Sequence, residues 1–202
     1  MVLSVVIVRH GNTFAAGDPT RRIGARTDLP LVDSGVAQAG ALGLAFAHDG
    51  WRFDRALAAP LLRTRTTMAE ILARQTDAPP VESADWLTEI DHGPDEAQLE
   101  SAVVGRIGAA ALARWDTEAC APQGWTVDLE HRIAGWRGLF ETAQGRVLLV
   151  TSNGAARFAL LADAALREQA ATLASLKLRT GAYAVIERGV DGLRLATWDR
   201  RP

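Results

Sequence analysis

The chain has 202 residues and a mass of 21.6 kDa, which suits a single domain spanning residues 1–202 or one domain with a sizeable insertion. Hydrophobic residues make up 48% and charged residues 23%, a balance that excludes a disordered or low-complexity chain. The net charge of −2, from 22 Lys+Arg against 24 Asp+Glu, disfavours a broad nucleic-acid-binding face, so we expect no nucleic-acid partner.

The cysteine content and the longest apolar stretches limit the class of protein further. The one cysteine, Cys120, leaves no partner for an intramolecular disulfide or a cysteine-based zinc site. The longest uncharged run, Ser34–Ala47, is too short and too rich in glycine to span a bilayer. The apolar N-terminal residues lack the positively charged segment of a signal peptide. We therefore expect a cytoplasmic protein without a membrane partner, whose oligomeric state the sequence does not indicate.

The first half of the chain predicts two strands, each followed by a helix. Val5–Val8 is β-branched throughout, which is typical of a strand buried on both faces. A helix is expected over Gly35–His48, with Asp33 or Ser34 as its cap. The short apolar segment Ala56–Pro60 is a weaker strand candidate, and its proline suits the first turn of a helix that reaches about residue 75.

The second half of the chain predicts three helices, one buried strand and a hairpin. Residues 96–118, 128–142 and 155–174 are helical in composition. Arg146–Thr151 has the character of another strand buried on both faces. Residues 183–198 resemble two strands around a glycine-containing turn. Strands that alternate with helices indicate an α/β fold, in which ligands bind at the carboxyl ends of the strands.

The first strand ends in the segment Arg9-His10-Gly11-Asn12-Thr13. A histidine at a strand end, followed by glycine, can project its ring into the crevice while the backbone turns. A neutral imidazole is a good nucleophile toward phosphorus, Arg9 supplies a fixed charge, and Thr13 can donate a hydrogen bond. Taken alone, the pattern fits a packed histidine beside a surface arginine slightly better.

Two later segments add a cation and a carboxylate. Arg63 falls in the first turn of the second predicted helix, where it could reach an anion held over that helix. Glu89 lies in a loop with apolar neighbours, where partial burial is expected to raise its pKa and suit it as a general acid. An exposed helix arginine and an ordinary loop carboxylate are the alternatives.

These segments, in this order, resemble the histidine phosphatase superfamily, also called the phosphoglycerate mutase-like family. That family carries Arg-His-Gly-x-Thr at its first strand, Ser-Pro-Leu-x-Arg later, then Leu-x-Glu, and a late Val-(Ser/Thr)-His-Gly. The resemblance implies a three-layer α/β sandwich with a mostly parallel sheet. It also implies that His10 accepts phosphate, that Arg9 and Arg63 hold phosphoryl oxygens, and that Glu89 protonates the leaving oxygen. By the same resemblance, Asn12 and Thr13 line the pocket mouth.

The chain departs from that pattern where the family has its second histidine. Here the sequence reads Ser152-Asn153-Gly154, so Asn153 can donate an N–H to a phosphoryl oxygen but brings no charge. Charge-assisted hydrogen bonds are about twice as strong as neutral ones, so we expect reduced activity unless another arginine compensates. The family's Trp-Asn after the first motif and its Gly-x-Trp-Glu-Gly are also absent, which disfavours a mutase.

Other polar residues have two interpretations each. Arg22 and Arg26 could bind anionic parts of a substrate or face water, and His92 could line the pocket or lie on an exposed loop. No metal-ligand spacing is visible, so we expect neither a metal nor another cofactor. The expected function is a phosphatase acting on a small phosphorylated metabolite. The rivals are a mutase-like phosphotransferase and a catalytically impaired protein that binds a phosphorylated ligand.

Overall fold

The computed structural model describes residues 3–202, and its centre is a six-stranded sheet in the order β3-β2-β4-β1-β5-β6. The strands are β1 (Leu3–Arg9), β2 (Arg55–Ala58), β3 (Val81–Ser83), β4 (Arg146–Thr151), β5 (Tyr183–Gly189) and β6 (Gly192–Arg200). The first four strands in that order run parallel, while β5 pairs antiparallel with both β1 and β6. The mostly parallel sheet and the terminal hairpin are therefore confirmed.

Eight α-helices and two single-turn 3₁₀ helices, at Asp85–Leu87 and Gly93–Asp95, connect the strands within residues 3–202. The α-helices are α1 (Asp33–His48), α2 (Leu62–Leu72), α3 (Glu100–Ile107), α4 (Ala109–Glu118), α5 (Leu129–Thr142), α6 (Asn153–Ala156), α7 (Phe158–Leu161) and α8 (Ala164–Ala170). None of the helices in these residues is long and apolar enough to cross a membrane.

Alternate residues of β1 enter two different apolar layers, because side chains of a strand point to opposite faces of the sheet. Val6 and Val8 pack in a cluster with Phe46 of α1 and Met68 of α2. Their neighbours on the strand pack on the other face with α5 and α7 residues, among them Trp136. Helices thus cover both faces of the sheet, which confirms the three-layer sandwich.

Four helix predictions are wrong in detail. Residues 96–118 form two helices rather than one, because Gly108 adopts φ +82° and ends α3 before α4 begins. Residues 155–174 divide into α6, α7 and α8. Neither Asp33 nor Ser34 caps α1, since Val32 is the N-cap residue and no side chain satisfies that end. The second helix begins two residues after Pro60 and ends at Leu72.

Candidate active site

The carboxyl ends of β1 and β4 lie side by side, so the two polar motifs that follow them meet. Arg9 pairs with Thr151 at the end of the ladder, and the His10 backbone N–H donates to the Thr151 carbonyl at 3.0 Å. A cavity of about 930 Å³ opens at this edge. Its walls include nine of the residues predicted from the sequence: Arg9, His10, Asn12, Thr13, Arg22, Glu89, His92, Asn153 and Gly154.

The His10 ring is held with one particular nitrogen toward the cavity. Its Nδ1 lies 2.8 Å from the Gly11 carbonyl oxygen, and because a carbonyl can only accept, Nδ1 carries the proton. Nε2 therefore keeps its lone pair. Burial, together with the charges of Arg63 and Arg9, holds the pKa of His10 well below its ordinary value of 6.5. The ring is thus neutral at neutral pH, as a nucleophile requires.

The backbone after His10 fits tightly against the start of α1. A Cβ atom on Gly11 would lie 2.3 Å from the Gly35 carbonyl oxygen, so both positions require glycine. The Gly11 N–H donates to Thr67 Oγ1 at 3.1 Å, and the Asn12 N–H donates to Gln38 Oε1 at 2.9 Å. Helices α1 and α2 therefore fix the loop that carries the imidazole.

Two arginines bring positive charge to His10 in different ways. Arg9 lines the cavity, and its Nη1 donates to the Leu178 carbonyl at 2.7 Å. Burial lowers its pKa to about 10, although Glu89 acts in the opposite direction, so it stays charged at neutral pH. Arg63 is fully buried, and its two Nη atoms donate to the carbonyls of Thr27 and Gly24. Its Nε has no hydrogen-bond partner.

Glu89 is buried on the cavity wall, with its carboxylate held by backbone N–H groups. Oε1 accepts from its neighbour Ile90 at 2.9 Å and Oε2 accepts from Gly154 at 3.1 Å. Burial acts to raise the pKa, but the charges of His92 and Arg63 and these two N–H donors together lower it. The expected rise is therefore wrong, because the pKa of Glu89 is lowered and the carboxyl is ionised at neutral pH.

Gly154 has a steric reason to be glycine. A Cβ atom there would lie 2.1 Å from Glu89 Oε1. The absence of a side chain lets the carboxylate lie against the first turn of α6 and accept its backbone N–H. The residue that follows β4 thus joins Glu89 to the same site as His10.

Asn153 begins α6 with its side chain oriented by a neighbouring loop. Its Oδ1 accepts the Leu178 backbone N–H at 2.8 Å. The amide oxygen is therefore occupied, and the Nδ2 group is left on the cavity side as a donor. The structure places asparagine where it can offer N–H groups and no positive charge.

The two outer arginines differ in position. Arg22 lines the cavity, where its Nη2 pairs with Glu100 at 2.6 Å and its guanidinium stacks 5.2 Å from the Trp125 ring centre. Arg26 is not on the cavity wall. Its Nε pairs with Asp91 at 3.0 Å and its Nη2 donates to the Gly93 carbonyl, so it holds the 91–93 loop instead.

Several contributors to the site carry no signal in the sequence near the motifs. Phe14, Trp115 and Thr180 also line the cavity, and the Thr180 hydroxyl donates to Asn12 Oδ1. Arg132 of α5 is buried and donates to the Glu89 carbonyl at 3.4 Å, which holds that segment in place. Phe14 directly follows Thr13, whereas only the fold brings Trp115, Arg132 and Thr180 to the motifs.

The sequence profile of the histidine phosphatase superfamily (branch 1) matches residues 5–201, nearly the whole chain. The chain belongs to the histidine phosphatase superfamily. Two solved phosphatase structures share its fold across most of both chains. The α-ribazole phosphatase from Shigella flexneri has a TM-score of 0.72 at 21% identity, covering 98% of this chain and 96% of that one. A mycobacterial glucosyl-3-phosphoglycerate phosphatase has a TM-score of 0.77 at 18% identity, covering 98% and 99%.

Sequence comparison also finds a phosphoglycerate mutase. The 2,3-bisphosphoglycerate-dependent phosphoglycerate mutase of Bacteroides fragilis is 29% identical over 112 residues, which cover 55% of this chain and 44% of the mutase. The chain therefore matches less than half of that enzyme's length.

Proposed function

We propose that the chain is a metal-independent phosphatase that hydrolyses a small phosphomonoester through a phosphohistidine on His10. The observation that carries the proposal is the Nδ1 contact with the Gly11 carbonyl at 2.8 Å. It leaves Nε2 unprotonated, and the depressed pKa of the ring keeps it so. Neutral imidazole among arginines is suited to attack a phosphoryl group, whose charge the arginines offset.

In the first step, the lone pair of His10 Nε2 forms a bond to phosphorus while the bond from phosphorus to the leaving oxygen breaks. Arg9 and Arg63 offset the charge on the phosphoryl oxygens, and Asn153 Nδ2 donates a hydrogen bond to one of them. The lining of the cavity by Arg9 and Asn153 supports these roles. Thr13, Asn12 and Gly154 complete the wall around the phosphate.

Glu89 moves the proton in both steps. It is ionised in the empty site, but a bound phosphate brings negative charge beside it, which raises the pKa of a nearby carboxyl. We propose that Glu89 takes up a proton as substrate binds and gives it to the leaving alkoxide. In the second step the restored carboxylate removes a proton from water, whose oxygen attacks phosphorus as the bond to Nε2 breaks.

Two alternative functions differ from this proposal in what happens to the phosphoryl group. A mutase would pass the phosphoryl group to a second substrate hydroxyl rather than to water, and the match to a mutase favours it. A protein that only binds a phosphorylated ligand would form no phosphoenzyme, and the uncharged Asn153 motivates that alternative. The two phosphatases of the same fold support hydrolysis.

The direct test is to trap the intermediate. The purified chain is mixed for milliseconds with ³²P-labelled aryl phosphate, quenched in base, and digested for mass spectrometry. We expect acid-labile, base-stable phosphate on His10, and no label or turnover in His10→Ala. Exposed His131 supplies the matched control, and His131→Ala should label like the wild type.

The result of this labelling experiment distinguishes the phosphatase, the mutase and the protein that only binds a phosphorylated ligand. Label on His10 followed by release of inorganic phosphate supports the phosphatase. Label that leaves only when an acceptor alcohol is added supports the mutase. Turnover that survives in His10→Ala, or a wild type that binds phosphate but never labels, overturns the proposal.

A further inference from the structure

His92 lines the cavity, yet the proposed chemistry does not use its imidazole. Its side chain is only 4% exposed. The ring stands edge-to-face against Trp125, with centroids 4.5 Å apart, and Trp125 is itself fixed because its indole N–H donates to Asp95 at 2.7 Å. The imidazole is therefore held in one orientation by packing rather than left mobile on a loop.

A buried carboxylate lies on the inner side of this ring. Glu96 Oε2 is 3.6 Å from His92 Nδ1, a distance suited to an ion pair although too long for a hydrogen bond. Glu96 Oε1 accepts from Gly24 N–H at 2.8 Å and from the Thr27 hydroxyl at 2.7 Å. Burial acts to raise the pKa of Glu96, but its contact with His92 and hydrogen bonds such as these lower the pKa to about 2. The Glu96 carboxyl therefore stays ionised.

Gly24 leaves room for this pair. A Cβ atom there would lie 2.5 Å from His92 Nδ1 and 2.5 Å from Glu96 Oε2. Nδ1 is fully buried and has no hydrogen-bond partner. Because the ring lines the cavity while Nδ1 faces Glu96, Nε2 is the nitrogen available to a bound ligand.

We propose that His92 is a catalytic residue that pairs with Glu96 as an imidazolium and donates its Nε2–H to a phosphoryl oxygen of the substrate. It would supply the charge-assisted hydrogen bond that Asn153 cannot make. Glu96 is then a positioning residue, which favours the charged ring and sets its direction. This inference rests on the proposed function, since it assumes that phosphate binds beside His10.

The surrounding charges favour a cation at this position. The carboxylates of Glu96 and Glu89 face the ring, and the charge of His92 acts on Glu89. The arginines around this segment are Arg22, paired with Glu100 and stacked on Trp125, Arg26, paired with Asp91, and Arg106, paired with Asp95. Each of these arginines has a carboxylate partner of its own, whereas the Glu96 carboxylate lies 3.6 Å from the imidazole.

The test uses two substitutions that separate charge from packing. His92→Gln keeps a neutral donor, and His92→Phe keeps the edge-to-face contact with Trp125. Exposed His131→Gln is the matched control. Inhibition by inorganic phosphate and by vanadate, and kcat and KM for an aryl phosphate, are measured for all four proteins from pH 5 to pH 9. The ratio of each variant's constant to the wild-type constant at the same pH cancels the effect of the ionisation of phosphate itself.

At pH 5–6 we expect phosphate to bind about fivefold more weakly to His92→Gln and tenfold or more weakly to His92→Phe. His92→Gln keeps a neutral donor and should lose less than His92→Phe, which has none. A purely structural role predicts that His92→Phe, which keeps the packing against Trp125, binds phosphate as well as His92→Gln or better; that result overturns the proposal, as do ratios near one for both variants. Labelling of His10 in the wild type distinguishes these results from failure of the proposed function, in which no label forms.

Discussion

His10 shows how one backbone group can select the chemistry of a side chain. The Gly11 carbonyl accepts only from a protonated Nδ1, which leaves the lone pair on Nε2. Burial and the charges of Arg63 and Arg9 keep the pKa of His10 below 6.5. As pH falls through 6.5 an ordinary histidine gains a proton, whereas His10 remains neutral until the pH falls further.

Glu89 is the residue whose proposed role requires the largest change of pKa, because its carboxyl is ionised here and would have to take up a proton when phosphate binds. If it donates the proton to the leaving oxygen and later accepts one from water, Glu89→Gln should impair both steps. On an alkyl phosphate, we expect turnover to fall about 10²-fold or more with no accumulated phosphoenzyme. On 4-nitrophenyl phosphate, whose leaving group needs no proton, we expect a rapid burst of nitrophenolate stoichiometric with enzyme, then slow turnover. Stopped-flow absorbance measures both phases.

A loss that is equal on both substrates and shows no burst would contradict this role for Glu89. Glutamine turns an NH₂ group toward one of the two backbone donors, so the variant's phosphate affinity and circular dichroism are the controls for an intact site.

The Glu89 segment also shows what one sequence can predict about a residue. Apolar neighbours correctly indicated burial, and the motif indicated a place in the site. The direction of its pKa shift could not be predicted, because it depends on Gly154, which is 65 positions away in the chain. The sequence alone showed that Asn153 lacks a charge. It could not show how the Asn153 side chain is oriented, because that depends on the Leu178 backbone N–H.

At the scale of elements, α6 and the segment before β5 together present the Asn153 amide. The Leu178 N–H occupies Oδ1, so Asn153→Asp keeps that acceptor and shape while it replaces the Nδ2 donor with a negative oxygen. A protonated imidazole at this position could not accept from Leu178, because both its nitrogens donate.

We expect Asn153→Ala to weaken phosphate binding about fivefold, the loss of one neutral hydrogen bond. Asn153→Asp should weaken it considerably more, because the carboxylate repels the phosphate. Isothermal titration with inorganic phosphate or vanadate measures both. Wild-type affinity in Asn153→Asp would mean that Nδ2 does not contact the phosphoryl group.

Helix boundaries were predicted less well than strands, for a physical reason. The strands β1 and β4 are short buried runs that contain β-branched residues, and polar motifs mark their ends at Arg9 and Thr151. The alanine-rich segments 96–118 and 155–174 suit a helix at almost every position. Gly108 breaks the first segment, and tertiary packing breaks the second. The overall composition of the two segments predicts neither break.

Across the whole molecule, the sheet order joins parts of the chain that are far apart in sequence. β1 and β4 pair in parallel, so the endings at His10 and Asn153 meet although more than a hundred residues separate them. The parallel strands made that meeting predictable. The contribution of Trp115 and Thr180 to the same cavity was not, since neither lies near a motif.

The cavity is wide enough for a leaving group as well as a phosphate. At about 930 Å³ it lies near the upper end of small-molecule sites. Phe14 and Trp115 supply apolar wall, while Arg22 is already paired with Glu100.

The central claim is that phosphate passes through two successive in-line transfers, first to His10 and then to water. The stereochemistry at phosphorus tests it most directly. A phosphorothioate monoester made chiral with ¹⁶O and ¹⁸O is hydrolysed in ¹⁷O-labelled water, and the configuration of the thiophosphate product is analysed by ³¹P NMR. Two transfers invert twice, so we predict net retention of configuration. Net inversion would show that water attacks the substrate directly, and it would contradict the phosphohistidine mechanism.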